Sequence, residues 1–178
     1  YAARRLLENT RQRIAQIATL GVDAVWIEEC LTDQFSPQTF RQINFPLLRS
    51  LTETIRSFGL KSIYYYCGNP WNRLDAILDV GADALHFEES KKGFAIPIEA
   101  LAEAVAGRCT LFGNLDAISV LQDGTEEMLN SEITRQLHAG RKNRGRFIMS
   151  TGSPVTPGTP ISRVRLYTDL VRELSATI

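Results

Sequence analysis

The residues able to do chemistry gather at a few points along these 178 residues. Cys30 follows one short β-rich run and Cys67 ends another, and the pairs Glu28–Glu29 and Glu88–Glu89 close two such runs. Thiolates are nucleophiles and ligands for soft or borderline metals, and carboxylates complete such sites. Cys30 and Cys67 with Glu28 or Glu88 would therefore suit a metal, zinc being the obvious occupant. Zinc makes a bound thiol a competent nucleophile near neutral pH. The alternative is two small buried residues beside glutamates paired with Arg or Lys. No CxxC-type spacing decides between them.

Other polar residues fall at equivalent places. Tyr65 and Asn69 flank Cys67; His86 precedes Glu88; Ser90, Lys91 and Lys92 follow Glu89. Lys91 and Lys92 suit a carboxylate, sulfonate or phosphate, or form a solvated loop pair. His86, inside its β-run, reads as a packed histidine rather than a ligand. Gly113, Asn114 and Asp116 form a Gly-Asn-Leu-Asp turn that either approaches a substrate closely or bonds its own backbone. Ser150, Thr151 and Ser153 open a Pro/Gly-rich stretch ending at Pro160. Thr159 suits a helix N-cap and Pro160 the first turn, a helix start that can receive an anion. The stretch has no Walker-type lysine, which excludes a P-loop. Tyr64, Tyr65, Tyr66 and Trp71 could stack on a flat macrocycle or pack in the core.

The elements that must position these residues alternate. Apolar spacing predicts helices over 2–19, from Pro37 to near Gly59, and over 72–80, 97–106, 126–139 and 161–174. Between them, β-rich runs cover 24–29, 61–67, 84–89, 109–114 and 147–150. Such alternation implies parallel strands with helical crossovers. In these folds the C-terminal strand ends face the active site, and the polar residues above lie there. Cys109, at an N-terminal strand end, reads as a core thiol. GVDAVWIEEC at 21–30 echoes GADALHFEES at 81–90. Any βα array needs a glycine stop and an apolar strand; it does not need two acidic residues at the same strand end, twice.

Composition narrows the function classes. Lys+Arg and Asp+Glu both number 20, so no net charge draws the chain to nucleic acid or an anionic membrane. The basic cluster Arg141, Lys142, Arg144 and Arg146 reads as a solvated turn. No apolar run approaches the roughly 20 residues of a membrane span. Three irregularly spaced cysteines and no visible signal peptide fit a reducing, cytoplasmic setting. A full (β/α)₈ barrel needs about 250 residues. A chain of this length starting at Tyr1 is expected to be part of one.

Five segments together resemble the uroporphyrinogen decarboxylase superfamily. They are Gly-x-Asp-Ala followed by Ser36-Pro37-x-x-Phe40, then Cys67-Gly68-Asn69, then Gly81-Ala82-Asp83-Ala84, then Phe112-Gly113-Asn114-Leu115-Asp116, then Phe147-Ile148-x-Ser150-x-Gly152 with Pro157-x-Thr159-Pro160. The superfamily includes cobalamin-dependent methyltransferases that pass a methyl group from a corrinoid protein to a thiol. The resemblance spans about residues 15–175 and implies an α/β fold, the C-terminal portion of a TIM (β/α)₈ barrel with about five βα units. It places residues 1–178 in a single domain lacking its N-terminal half. The methyltransferases' His-x-Cys-Gly zinc motif reads Tyr65-Tyr66-Cys67-Gly68 here. Their glutamate ligand falls at Glu88, and their last cysteine ligand at Ser153. The decarboxylases place a histidine at that last position, and their substrate-facing serine falls at Cys30, after Glu29.

The resemblance thus implies an enzyme. Cys67, Glu88 and Cys30 are its expected catalytic residues, with Cys67 and Glu88 as metal ligands. Glu29, Tyr65, Asn69, Lys91, Asn114, Asp116 and Ser153 are expected to face substrate. Methyl transfer involving a corrinoid leads; tetrapyrrole decarboxylation and a non-catalytic binding or assembly module are the alternatives. A half barrel leaves raw strand edges, so the missing N-terminal half or a second copy is the expected partner, with a corrinoid protein for methyl transfer.

Overall fold

The computed structural model describes residues 2–90 and 93–178. Five parallel strands follow one another in chain order: β1 (Ala24–Glu29), β2 (Lys61–Tyr66), β3 (Ala84–Phe87), β4 (Thr110–Phe112) and β5 (Phe147–Ile148). An open doubly wound sheet reverses its strand order at a switch point; an order that never reverses belongs to a barrel wall. The fold is therefore a portion of a TIM barrel. The chain divides into two compact units, residues 1–85 and 86–178, with the division inside β3. No described helix is long and apolar enough to cross a membrane.

The first unit opens with α1 (Ala2–Ala18) and β1. A 3₁₀ turn (Thr32–Gln34) leads to α2 (Pro37–Thr39), a π-helix (Phe40–Asn44) and α3 (Phe45–Ser57), and the unit continues through β2 and α4 (Leu74–Asp79). Ser36 caps α2 through its side-chain oxygen, with Pro37 at the first helical position. Ile14, Ile55 and Leu60 form a core closed by Ala18, Val25, Ile27 and Leu51. The expected helix from Pro37 is present, but its middle is a π turn. The extra residue in that turn changes the helical phase, and Ile43, which the apolar spacing from Phe40 to Ile55 predicts on the buried side, is 54% exposed. Phe40, Leu48 and Ile55 stay buried.

β1 and β2 pair in one unbroken register, from Ala24 opposite Lys61 to Glu29 opposite Tyr66. The Cys67 N–H continues the ladder by donating to the Glu29 carbonyl at 3.1 Å. In both copies of the internal echo the glycine has positive φ, 73° at Gly21 and 76° at Gly81. An L-residue would be strained in either turn. Asp23 then accepts the Lys61 N–H on its carbonyl, while Asp83 uses its side chain.

The second unit holds α5 (Ile98–Val105), β4, a π-helix (Ala117–Gln122), α6 (Glu126–Lys142), β5 and α7 (Ile161–Thr177). Leu111 and Phe112 of β4 pair with Phe147 and Ile148 of β5, and a bridge from Leu115 to Thr151 extends the pairing. Leu115, Leu121, Leu129 and Ile133 form the core against α7 residues including Leu166 and Leu170. The Thr125 side chain caps α6, with Glu126 and Glu127 in its first turn and Arg141 and Lys142 in its last. The basic cluster thus begins as the end of a helix, and Lys142 pairs with Glu103 at 2.6 Å. α7 starts at Ile161, as the apolar spacing predicts, but Thr159 is not its N-cap. Pro160 holds the N-cap position, and Thr159 instead donates its hydroxyl to Gln122 Oε1 at 3.2 Å. Cys109 is buried, as expected of a core thiol.

Asp83 is the polar lock of the first unit. Its Oδ2 accepts from the Ser62 backbone N–H at 3.0 Å and from the Ser62 hydroxyl at 3.1 Å. Its Oδ1 accepts from Lys61 Nζ at 3.2 Å. Burial alone would raise the Asp83 pKa, but these three donors outweigh it and hold the carboxyl below the usual carboxylate range. Asp83→Ala is expected to cost about 1–2 kcal/mol at pH 7, read by urea unfolding. Because the folded pKa is lowered, the wild-type advantage is present above the ordinary carboxylate pKa. It is lost as pH falls through the folded value. Equal stability of the two proteins at pH 7 would show that the lock carries no energy.

Candidate functional site

In the first unit the chemistry sits just beyond the β1–β2 ladder. Side chains alternate along a strand, so Trp26, Glu28 and Cys30 share one face of β1 and its continuation, and Tyr65 and Cys67 share one face of β2. The Trp26 and Tyr65 rings lie 5.5 Å apart between centroids. Beyond them Cys30 Sγ lies 3.1 Å from Cys67 Sγ and 3.3 Å from Glu28 Oε1. The ligand atoms of Glu28, Cys30 and Cys67 all fall within 4.8 Å of one another. Cys30 and Glu28 are exposed, whereas Cys67 is buried.

Two loops deliver the thiols, and they are latched to each other. Asp33 Oδ2 accepts from the Asn69 N–H at 3.4 Å. Gly68, at φ 119°, lies so close to Asp33 that an added Cβ would sit 2.5 Å from its carboxyl carbon. Only glycine fits there. Arg73, 4% exposed, donates to the carbonyls of Thr32 at 2.6 Å and Phe35 at 2.8 Å. Its guanidinium also lies over the Phe40 ring at 5.6 Å. The segment after Cys30 is thereby tied to the segment after Cys67.

Glu29 points to the opposite face from Glu28. Its carboxylate accepts from Asn44 Nδ2 at 2.6 Å and from the Tyr64 hydroxyl. Tyr64 is fully buried, and burial followed by the neighbouring Glu29 charge pushes its pKa well above the ordinary phenol value. Tyr64 thus remains a neutral donor to Glu29. Asn69 Oδ1 accepts from the Trp71 N–H at 3.1 Å, shaping its own loop.

The second unit gathers a different set. Glu88 and Glu89 are both buried. The Ser153 hydroxyl lies 2.8 Å from Glu89 Oε2 and 3.0 Å from Oε1. A Cβ added to Gly152 would collide with the Glu89 backbone nitrogen, so the loop after β5 rests directly on Glu89. Asn114 is 5% exposed; its Nδ2 donates to the carbonyls of Ile96 at 2.8 Å and Glu88 at 3.2 Å. Asp116 Oδ1 accepts from the N–H groups of Ile118 and Ser119, capping the π-helix. Asn114, Asp116, Glu89, Ser90, Glu132 and Arg135 line a cavity of about 290 Å³, at the small end of ligand-pocket sizes. Arg135 within it is held by Glu99 at 2.5 Å and Glu132 at 2.7 Å.

His86 belongs to the packing, as expected. Its Nε2 donates to the Thr151 carbonyl at 2.8 Å, and its ring lies 5.6 Å from Phe112. Burial lowers its pKa to about 4 against the pull of its hydrogen bonds to the Thr151 and Gly113 backbone, so the ring is neutral near pH 7.

The structure thus brings Cys30 and Cys67 together, and the carboxylate beside them is Glu28. Glu88 lies in the second unit. Tyr65 stands on the thiol face, and Glu29 on the face behind it. Asn114, Asp116 and Ser153 all bond within their own unit, and Lys91 lies outside the described residues. Sequence reasoning missed Asn44, Asp33 and Arg73. The glycine at 68 was the one visible hint of a close approach.

The sequence model of the uroporphyrinogen decarboxylase (URO-D) family matches residues 3–174. The chain is 24% identical over 176 residues to the uroporphyrinogen decarboxylase of Thermus thermophilus, covering 97% of this chain and 49% of that protein. It is 25% identical over 138 residues to the methylated-thiol–coenzyme M methyltransferase of Methanosarcina mazei, covering 78% of this chain and 34% of that protein. A solved structure of a methyltransferase from Methanosarcina mazei superposes with a TM-score of 0.78 at 21% identity, over 94% of this chain and 47% of that one. The chain spans about half the length of the curated uroporphyrinogen decarboxylases it matches.

The buried polar groups of the second unit give two expected outcomes. Asn114→Ala strips two buried carbonyls of their donor and is expected to cost about 2–3 kcal/mol in urea unfolding. A cost below about 0.5 kcal/mol would show that the carbonyls find other partners. A buried neutral His86 binds its proton only in the unfolded chain between its ordinary pKa and about 4. Stability should therefore fall as pH drops through that window. His86→Gln is expected to flatten that part of the curve; an unchanged slope would refute the assignment.

Proposed function

Because the chain belongs to the uroporphyrinogen decarboxylase family, we propose that it carries the thiol-activating part of a methyltransferase-like member. Such an enzyme moves a methyl group from a corrinoid to a metal-bound thiol. The observation that carries this reading is the convergence of Cys30, Cys67 and Glu28. Two sulfurs and one carboxylate oxygen within 4.8 Å suit tetrahedral zinc, with the fourth position left for substrate. Zinc held there would lower the pKa of a bound substrate thiol and present it as a nucleophile.

The chain's own residues do the rest. Cys30 and Cys67 supply the soft donors, and Glu28 the hard one. The Asp33 and Arg73 latches fix the loops, so the donors need no rearrangement. Trp26 and Tyr65 pack together beside the site, their ring centroids 5.5 Å apart. Glu29, held by Tyr64 and Asn44, braces β1 from behind. In this reading Glu28 takes the carboxylate place that the family resemblance assigns to Glu88. A methyl donor carried on a corrinoid protein is the proposed partner.

A second reading is decarboxylation of a tetrapyrrole. The match to the Thermus thermophilus uroporphyrinogen decarboxylase over 97% of this chain favours it. Glu29-Cys30 then stands where the resemblance places a substrate-facing serine.

Metal analysis after zinc-supplemented expression separates the two. Methyl transfer predicts about one zinc per chain. Cys30→Ser and Cys67→Ser are each expected to weaken zinc at least about 100-fold, measured against a chromophoric chelator. Less than about a tenth of an equivalent in the wild type would sink the metal reading. Turnover of uroporphyrinogen by the full-length protein would then install the decarboxylase reading.

A further inference from the structure

The thiol pair is built for chemistry besides metal binding. Glu29 and Tyr66 are the last register partners of β1 and β2, so Cys30 and Cys67 are the next pair along the same ladder. The Cys67 N–H bond to the Glu29 carbonyl shows that the ladder is intact at that step. Neighbouring strands run about 4.8 Å apart, inside the window of about 4.4–6.8 Å between Cα atoms that a disulfide spans. Alternation places both side chains on one face, and the sulfurs already lie 3.1 Å apart. The Asp33–Asn69 and Arg73 bonds hold both loops at this separation.

We propose that Cys30 and Cys67 are a reversible oxidation site, closing to a disulfide by exchange with small-molecule disulfides. Cys30 is exposed and reacts first. Its proton goes to solvent. The Cys30 thiolate attacks one sulfur of the oxidant and releases the first small thiol. Cys67 then attacks Cys30 Sγ in the mixed disulfide, and its proton leaves with the second small thiol. The protein dithiol is oxidised, the small disulfide is reduced to two thiols, and no other reactant is needed. Closure also consumes two of the three donors of the candidate metal site, so oxidation and metal occupancy exclude each other. Closure itself depends on the sulfur geometry and not on metal binding.

The test uses the full chain in glutathione buffers with a chelator present, so the metal reading does not enter. Peptide mapping is expected to recover a Cys30–Cys67 cross-link, with Cys109 still a thiol. Cys109→Ser should leave closure unchanged. Cys67→Ser should stop at a stable glutathione adduct on Cys30, and Cys30→Ser should form no cross-link. Half-closure should occur at a glutathione ratio at least about tenfold more reducing in the folded chain than in urea. A folded chain that closes no more readily than the unfolded one overturns the proposal. So does a wild-type protein that keeps its glutathione adduct on Cys30. A chain that takes up no zinc yet closes this disulfide removes only the metal reading.

Discussion

The candidate chemistry of the first unit depends on one hydrogen-bonded ladder. β1 and β2 pair without slip from Ala24–Lys61 to Glu29–Tyr66. A shift of one residue would send Cys30 and Cys67 to opposite faces, because side chains alternate with period two. Register therefore places two thiols that stand 37 residues apart in the chain. Everything nearby protects that register. The Ser62–Asp83 lock stands at the start of β2 and the Asp33–Asn69 latch beyond its end.

A second physical theme is the satisfaction of buried polar groups. Barrel loops bring carbonyls and carboxylates into dry surroundings, where an unpaired group costs several kilocalories. Arg73 answers the carbonyls of Thr32 and Phe35, and Asn114 those of Glu88 and Ile96. Ser153 answers Glu89, and Asp116 answers two N–H groups at the start of a π-helix. Polar residues that look available for substrate in sequence are thus partly spent on holding the strand ends. That leaves the exposed Cys30–Glu28 edge as the most chemically open part of the first unit.

The family match and the half-length coverage set the frame for function. The chain belongs to the uroporphyrinogen decarboxylase family and contains five parallel strands. Its relatives include a decarboxylase and a methyltransferase, two chemistries on one scaffold. The scaffold does not choose between them; the residues at the strand ends do. The resemblance sets Cys30 where the decarboxylases place a serine, and Tyr65 where the methyltransferases place a histidine.

The sequence by itself determined the alternation of strands and helices, and so the parallel barrel wall. Helix and strand periods are local properties, and most elements fall within a residue or two of their expected bounds. It also determined which residues stand at strand ends, because those come directly after each apolar run. It could not foresee the π turn that exposes Ile43. Within that turn Phe40 packs against Tyr66 and Arg73, contacts that no local pattern records. Nor could it pair the thiols with a carboxylate. Glu28 and Glu88 close equivalent runs and look alike in sequence. Only strand register and alternation put Glu28 on the face of Cys30 and Cys67, and only tertiary latches from Asp33 and Arg73 bring the two sulfurs into contact.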